Sequence, residues 1–306
     1  MAEIQTVRYE HLMWRDIVDL DDVTIKRLSR RFKFHHLDLE DCLSQSQRPK
    51  IDEYKNYLFI ILHIPVHGPK KRIELEEMNF FIGEGYLITI HQHELKPITD
   101  LIKKIKKNSS IKKECLSKGS GFLLYEIMSN LFSTCFPLLE RLGDEIAAIE
   151  KSVFDENMAQ RDMLKDILLL KKDIINFKRI ILPQRTVIAQ LEHKNAKFLT
   201  SDLEVYFDDI VDKIEKIWNN LQNYAELVES LQDTNESIIS HNTNRIIKTL
   251  TIFSVTMLPL TLISGIYGMN INLPFAEHPT AFFLISGVML GILTGMLAYF
   301  RFKKWL

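Results

Sequence analysis

Cysteine is nearly absent from this chain. Three occur in 306 residues, Cys42, Cys115 and Cys135, far apart and odd in number. That count and spacing suggest neither a disulfide framework nor a zinc knuckle, and the water-soluble part is expected in a reducing compartment. Net charge is nearly absent too. The 39 Lys and Arg against 40 Asp and Glu leave −1 at pH 7, which argues against a dedicated nucleic-acid binder. The opening Met1-Ala2-Glu3-Ile4-Gln5 lacks the basic and apolar regions of a secretory signal, so none is expected. No Gly-rich phosphate loop, nucleophile elbow or cofactor motif occurs, and no enzyme is expected.

Charge is missing in a second, local sense. Residues 249–276 and 278–300 hold none, and Glu277 stands alone between them. Each run reaches the ~20 apolar residues that a helix needs to cross bilayer hydrocarbon. Two spans are expected, 249–270 and 280–300, joined by a loop over 271–279. Arg245 and Lys248 precede the first span; Arg301, Lys303 and Lys304 lie in a basic tail over 301–306; the loop has no Lys or Arg. By the positive-inside rule both termini are expected in the cytoplasm and the loop outside, for a multi-pass protein of the cell membrane.

What is present upstream divides in three. Residues 1–120 read as an α/β (layered α+β) domain. Asp21-Asp22-Val23-Thr24 opens a capped short helix, and a second starts near Leu37-Asp38-Leu39. Tyr57 to Ile64 is a continuous apolar run ended by Pro65, the pattern of a buried strand. Met78 to Ile82 and Tyr86 to Ile90 flank Gly83-Glu84-Gly85 and predict a hairpin. His91-Gln92-His93 has no third ligand nearby, so a structural or surface role is expected. Lys103, Lys104, Lys106, Lys107, Lys112 and Lys113 read as a solvated helix face.

Residues 121–200 take on helical periodicity, with Leu139, Leu142, Ile146 and Ile149 three or four apart, and Pro183 is expected to break or kink the pattern. Ser201-Asp202-Leu203-Glu204 fits a capping box. No proline follows until Pro259 and no glycine until Gly265, while Ile210, Ile214, Ile217, Leu221, Leu227 and Leu231 keep a helical repeat. One helix is expected from about Asp202 to Tyr267, roughly 100 Å long, its part over 201–248 forming a stalk. Such length needs partners, and self-association is the economical source. Acids on the stalk, Asp208, Asp209 and Asp212 among them, are expected to face solvent. Asp233 opens the polar stretch Thr234-Asn235-Glu236-Ser237, which marks a wet cavity or an ion site.

Asn244, Ile247, Leu250, Ser254, Leu258, Thr261 and Gly265 are separated by 3, 3, 4, 4, 3 and 4 residues. A repeat of about 3.5 faces a common axis. Ser254 and Thr261 inside a span either bond their own helix carbonyls or face water. With Asn244 at one end and Asn270 past the other, the seam reads as a pore lining. Leu250 and Leu258 would be constrictions that gate by dewetting. Two helices cannot enclose a path, so several copies around an axis are required. Asn270 would offer a ring of neutral oxygens that could hold hydrated Mg²⁺ without stripping its water.

Tyr267-Gly268-Met269-Asn270 at the end of the first of two C-terminal spans resembles the signature of the CorA family of magnesium transporters. His36-Leu37-Asp38-Leu39-Glu40-Asp41, Gln47-Arg48-Pro49-Lys50 with Tyr54, Met257-Leu258-Pro259-Leu260-Thr261 and the ending Lys303-Lys304-Trp305-Leu306 are similar to the same family. The resemblance implies a funnel-shaped homopentamer that takes up Mg²⁺ passively, with Co²⁺ and Ni²⁺ as further substrates. It implies selection at Gly268, Met269 and Asn270. It implies regulatory Mg²⁺ between subunits at Asp233, with Asp209 a second ligand and Glu74, Glu76 and Glu77 the candidate partner acids. The outer loop departs from the family, with Leu273-Pro274-Phe275-Ala276-Glu277 in place of Met-Pro-Glu-Leu. A Zn²⁺ or Co²⁺ transporter or exporter is therefore the alternative. A membrane-anchored, non-conducting ion sensor stands behind it.

Overall fold

The structure, a computed structural model, describes residues 2–44, 47–68, 72–153, 160–192, 199, 203–271, 273–274 and 278–305. The chain forms two compact units, Met1–Gln232 and Asp233–Leu306. The first is organised by a six-stranded sheet of β1 (Glu3–Tyr9), β2 (Leu12–Val18), β3 (Lys50–Glu53), β4 (Tyr57–His67), β5 (Ile73–Gly83) and β6 (Tyr86–His91). The strand order is β1-β2-β6-β5-β4-β3. Only β2 and β6 pair in parallel; every other neighbour is antiparallel.

Both faces of the sheet are covered. Alternation along β4 sends Leu58, Ile60 and Leu62 to one face, and Phe59 and Ile61 to the other. The second face packs under α1 (Asp22–Phe32) and α2 (His36–Ser44). The first packs under α3 (Lys96–Lys107), α4 (Ser109–Leu116), α5 (Ser120–Ser133), α6 (Cys135–Val153) and α7 (Gln160–Glu192). Asp21 caps α1 by accepting from the Thr24 amide at 2.8 Å. The α/β reading of this domain holds, and strands β1 to β3 are additions to it. β1 is a mostly exposed edge, and β2 carries the buried Asp16 among its apolar positions, so neither shows a clean apolar alternation.

Two prolines stand inside elements, and for Pro65 this corrects the expectation. β4 does not end at Pro65 but runs to His67, with Pro65 opposite Leu75. β3 pairs only with Leu58 to Ile61, so Pro65 lies on a flank with no further strand, where a missing amide is tolerated. Pro183 sits inside α7 without ending it. Gln184, fully buried beside it, donates to the Ile180 carbonyl at 2.9 Å and accepts from the His63 amide of β4. The hairpin between β5 and β6 is tighter than expected, because Gly83 pairs with Tyr86. Gly85 has φ +75, and a Cβ there would meet the His11 carbonyl at 2.9 Å, so glycine is required.

Helix α8 (Glu204–Tyr267) passes from the first unit into the second. Ser201 and Asp202 of the expected capping box lie outside the described residues. In the first unit Leu203, Phe207, Ile210, Ile214, Ile217, Leu221, Val228 and Leu231 are buried in the core shared with α5 to α7. This part of the stalk therefore finds its partners within its own chain. Leu227, expected on that stripe, is 51% exposed, and Val228 takes the buried place. The second unit holds the rest of α8 and α9 (Ala281–Phe302).

Among the described residues three helical stretches are long and apolar enough to cross a membrane: Ser120–Val153, α8 and α9. The first has its apolar side chains, among them Phe122, Leu124, Leu131, Phe132 and Leu142, packed in the core of the first unit. Of α9 only Phe300 is buried, as suits a helix whose surroundings are apolar.

Candidate functional site

The membrane half of α8 has two unlike faces. Lys248, Ile252 and Thr256 stand four apart, one above the other on the same side. Ile252 is 9% and Thr256 5% exposed. Lys248 Nζ donates to the Lys304 carbonyl at 3.0 Å and lies 5.8 Å from the Trp305 ring. Trp305 is itself tied back, its amide donating to the Phe300 carbonyl at 2.9 Å. The positive charges that flank the two apolar helices therefore meet at one end.

The other face is the expected seam. Asn244, Ile247, Leu250, Ser254, Leu258, Thr261 and Gly265 are all exposed, Leu250 by 64% and Leu258 by 66%. A Cβ on Gly265 would meet nothing within 4 Å. Among the described residues of this chain nothing covers that face. The Thr261 hydroxyl donates to the carbonyls of Met257 and Leu258 at 3.1 and 2.9 Å. Thr249 and Thr251 do the same with Arg245 and Ile247. These hydroxyls are satisfied by their own helix, and only their remaining lone pairs point outward.

α8 ends on the Gly-Met-Asn stretch. The Gly268 amide donates to the Ser264 carbonyl at 2.9 Å, and the Met269 amide to that of Ile266 at 3.2 Å. A Cβ on Gly268 would lie 3.0 Å from the Ser264 carbonyl oxygen, so glycine lets the last turn close. Met269 and Asn270 follow, both exposed. Asn272 and the loop residues Phe275, Ala276 and Glu277 lie outside the described residues.

The stalk acids differ in their state. Asp233 is exposed on α8. Asp209 is engaged by Lys213 Nζ at 2.7 Å, and that same ammonium donates to Ser129 Oγ at 2.8 Å. A cation at Asp209 would have to displace it. Of the three front-domain acids, Glu74 is exposed, whereas the Glu76 and Glu77 side chains are 7% and 8% exposed and bonded inside the domain. Among the described residues no three His, Cys, Asp or Glu side chains gather as a metal site.

His91 and His93 form no metal pair. His91 Nε2 meets Asp16 at 3.1 Å, and Nδ1 meets the His93 carbonyl at 2.6 Å. His93 Nδ1 is 2.9 Å from Glu76. Asp16 also accepts from Thr89, whose hydroxyl takes the Trp14 indole N–H at 3.1 Å. The Lys run lies on α3 and α4, its residues exposed or half-buried as a solvated face would be. Burial is the largest single influence and would lower the His91 pKa, but the bond and charge of Asp16, the His93 carbonyl and the Glu76 charge together outweigh it, and the value is raised. A raised value in the folded state stabilises below the unfolded pKa of about 6.5 and is lost as pH rises through the folded value. The thermal midpoint of the first unit, followed in the full chain, is expected to fall as pH rises above that point. His91→Gln should flatten this dependence.

The CorA-like Mg2+ transporter protein family matches residues 9–304. The chain is 31% identical over 296 residues to "Putative metal ion transporter YfjQ" of Bacillus subtilis (strain 168), covering 95% of this chain and 89% of that protein. It is 29% identical to a cobalt/magnesium transport protein CorA of Thermotoga maritima, covering 92% of this chain and 80% of that one. Among solved structures, the complete CorA magnesium transporter from Methanocaldococcus jannaschii matches with a TM-score of 0.84 at 26% identity, covering 98% and 94% of the two chains. The mixed α/β domain, the long helix and the C-terminal helix are thus those of a known architecture, and the chain belongs to the CorA family of membrane-bound divalent metal ion transporters.

Proposed function

We propose that the chain assembles as a homopentamer that passes Mg²⁺ down its gradient, with Co²⁺ and Ni²⁺ as further cargo, and that it is a transporter and not an enzyme. The observation that carries this is the polarity of α8: one face is covered by its own chain, and the opposite face, an unbroken seam from Asn244 to Gly265, is left open. Copies arranged around an axis would bring those seams together. The spans are 249–270 and 280–300, with the loop outside and both termini in the cytoplasm. The meeting of Lys248 with Lys304 and Trp305 supports that orientation, since it gathers the basic residues at one end.

Gly268, Met269 and Asn270 form the selectivity ring. Asp233, with Asp209, holds regulatory Mg²⁺ that favours the closed state. Glu74 is the front-domain acid free to join such a site, because Glu76 and Glu77 are buried and bonded. A Zn²⁺ reading is favoured by one finding: a zinc transport protein ZntB of Enterobacter sp. (strain 638) is 22% identical over 274 residues. Flux in proteoliposomes separates the two. Mg²⁺ entry driven by its own gradient is expected; Zn²⁺ flux tied to a proton gradient, with no Mg²⁺ flux, would overturn the Mg²⁺ assignment.

A further inference from the structure

The end of the second unit where the two apolar helices meet is strongly basic. Arg245 and Lys248 of α8 stand three apart, on the face that carries Ile252 and Thr256. Arg301, Lys303 and Lys304 lie at the end of α9 and just past it. No Asp or Glu occurs between Glu236 and Glu277, nor over residues 278–306. Among the described residues no ion pair engages any of these five cations. Lys248 is half-buried, and the others are exposed.

The tail is built to keep these charges at one level. Lys304 has φ +55, a left-handed conformation that glycine or asparagine adopts at less cost than lysine. Three successive amides hold it by closing on the last turn of α9. Lys303 donates to the Tyr299 carbonyl at 3.0 Å, Lys304 to that of Arg301 at 3.0 Å and Trp305 to that of Phe300 at 2.9 Å. The turn folds the chain back, so that Trp305 stacks on Phe300 with ring centres 5.9 Å apart and planes 21° from parallel. The bond from Lys248 to the Lys304 carbonyl then ties the tail to α8. An extended tail would carry Lys303 and Lys304 away from the helix ends. Here like charges are gathered instead, and their repulsion is relieved when an anion joins them.

The surroundings narrow the kind of anion. Phe302 is 85% exposed, Tyr299 58% and Trp305 44%, beside these cations. A small soluble anion would neutralise the charge and leave the rings in water. A phospholipid supplies both partners, phosphate for the cations and glycerol with upper acyl chain for the rings. Trp and Tyr favour that depth, and long basic side chains reach from it to the headgroups. Cations without acids among them match a headgroup of net negative charge and not a zwitterionic one.

We propose that this end of α8 and α9 docks the headgroup of an anionic phospholipid, its phosphate met by Arg301, Lys303 and Lys304 and its upper acyl chain lying against Trp305 and Phe302. The proposal rests on the two helices spanning a membrane and on nothing about the pore. The full-length protein is reconstituted in phosphatidylcholine vesicles doped with a brominated lipid, either phosphatidylglycerol or phosphatidylcholine. Quenching of Trp305 is read as the difference from Trp305→Phe. Phosphatidylglycerol is expected to be favoured at this ring by about fivefold or more. Lys303→Gln/Lys304→Gly should remove the preference; glycine keeps the left-handed turn, so the tail geometry survives the loss of charge. Lys103→Gln/Lys104→Gln, the same change of charge at exposed positions of α3, should leave the preference intact. Equal quenching by both lipids in the wild type would keep the spans and overturn the headgroup site. An equal effect of the α3 pair would also overturn it, because net charge alone would then draw the lipid. Loss of the preference in excess inorganic phosphate would mean a free-anion site and overturn it too. Quenching by neither lipid would overturn the spans and the proposal together.

Discussion

Asn270→Ala is expected to abolish measurable Mg²⁺ flux while the protein still assembles and its first unit still unfolds at the wild-type temperature. Asn270 follows the last turn of α8, exposed and outside both cores, so its loss removes no packing. What it removes is repeated in every copy. A net hydrogen bond is worth roughly 1 kcal/mol, and in the proposed pentamer five copies would lose on the order of 5 kcal/mol from one ring. At 1.4 kcal/mol per decade, that is on the order of a thousandfold in occupancy of the pore mouth. Symmetry thus turns a surface substitution into a severe defect. Flux into proteoliposomes with a Mg²⁺-sensitive dye measures it. Wild-type flux and selectivity in this variant would instead favour a sensor that does not conduct.

The same contrast explains what was legible in the sequence. The seam was readable because its period persists through a charge-free run, and a helix broken by no Gly or Pro between Glu204 and Pro259 has only one way to place those side chains. Asp233 could be singled out, because it departs from a local pattern. The hydrophobic repeat also found the buried stripe of the stalk, but it chose Leu227 over Val228. Either residue fits a helical repeat, and only the packing against the first unit decides between them. Pro65 misled for a physical reason. A proline reports the loss of one amide, and whether that loss matters depends on what stands opposite. On that flank of Pro65 no strand is paired among the described residues.

The bonding of Glu76 was not legible at all. Glu76 and Glu77 follow the exposed Glu74 and Leu75 near the start of β5, and the sequence offers all three acids only as candidate partners of a regulatory ion. Only the pairing of β5 with β6, which ends at Met78 opposite His91, brings the Gln92 and His93 amides onto Glu76. Glu77 and Asn79 share a face because they are two apart on a strand. That the Glu76 carboxylate ends bonded by those two amides is a property of the assembled domain and of nothing shorter.

Asp233→Ala is expected to leave Mg²⁺ flux intact and to remove its inhibition by Mg²⁺ on the cytoplasmic side. The size of the effect follows from the population shift that a gate requires. Moving a pore from 1:99 open to 99:1 takes about 5.5 kcal/mol of differential binding. Spread over the five equivalent interfaces of the proposed pentamer this would be roughly 1 kcal/mol each, well within what one bridging carboxylate supplies when it meets a cation in a partly solvated place. No single site need be strong, and no preformed cage is needed, which agrees with the absence of a three-ligand cluster among the described residues. Because every copy loses the same contact, the substitution removes the whole switch. Asp209→Ala should do less, since Lys213 already competes for that carboxylate at 2.7 Å. Uptake into proteoliposomes loaded with low or high internal Mg²⁺ decides the matter. If Asp233→Ala retains inhibition with an unchanged midpoint, the regulatory ion binds elsewhere.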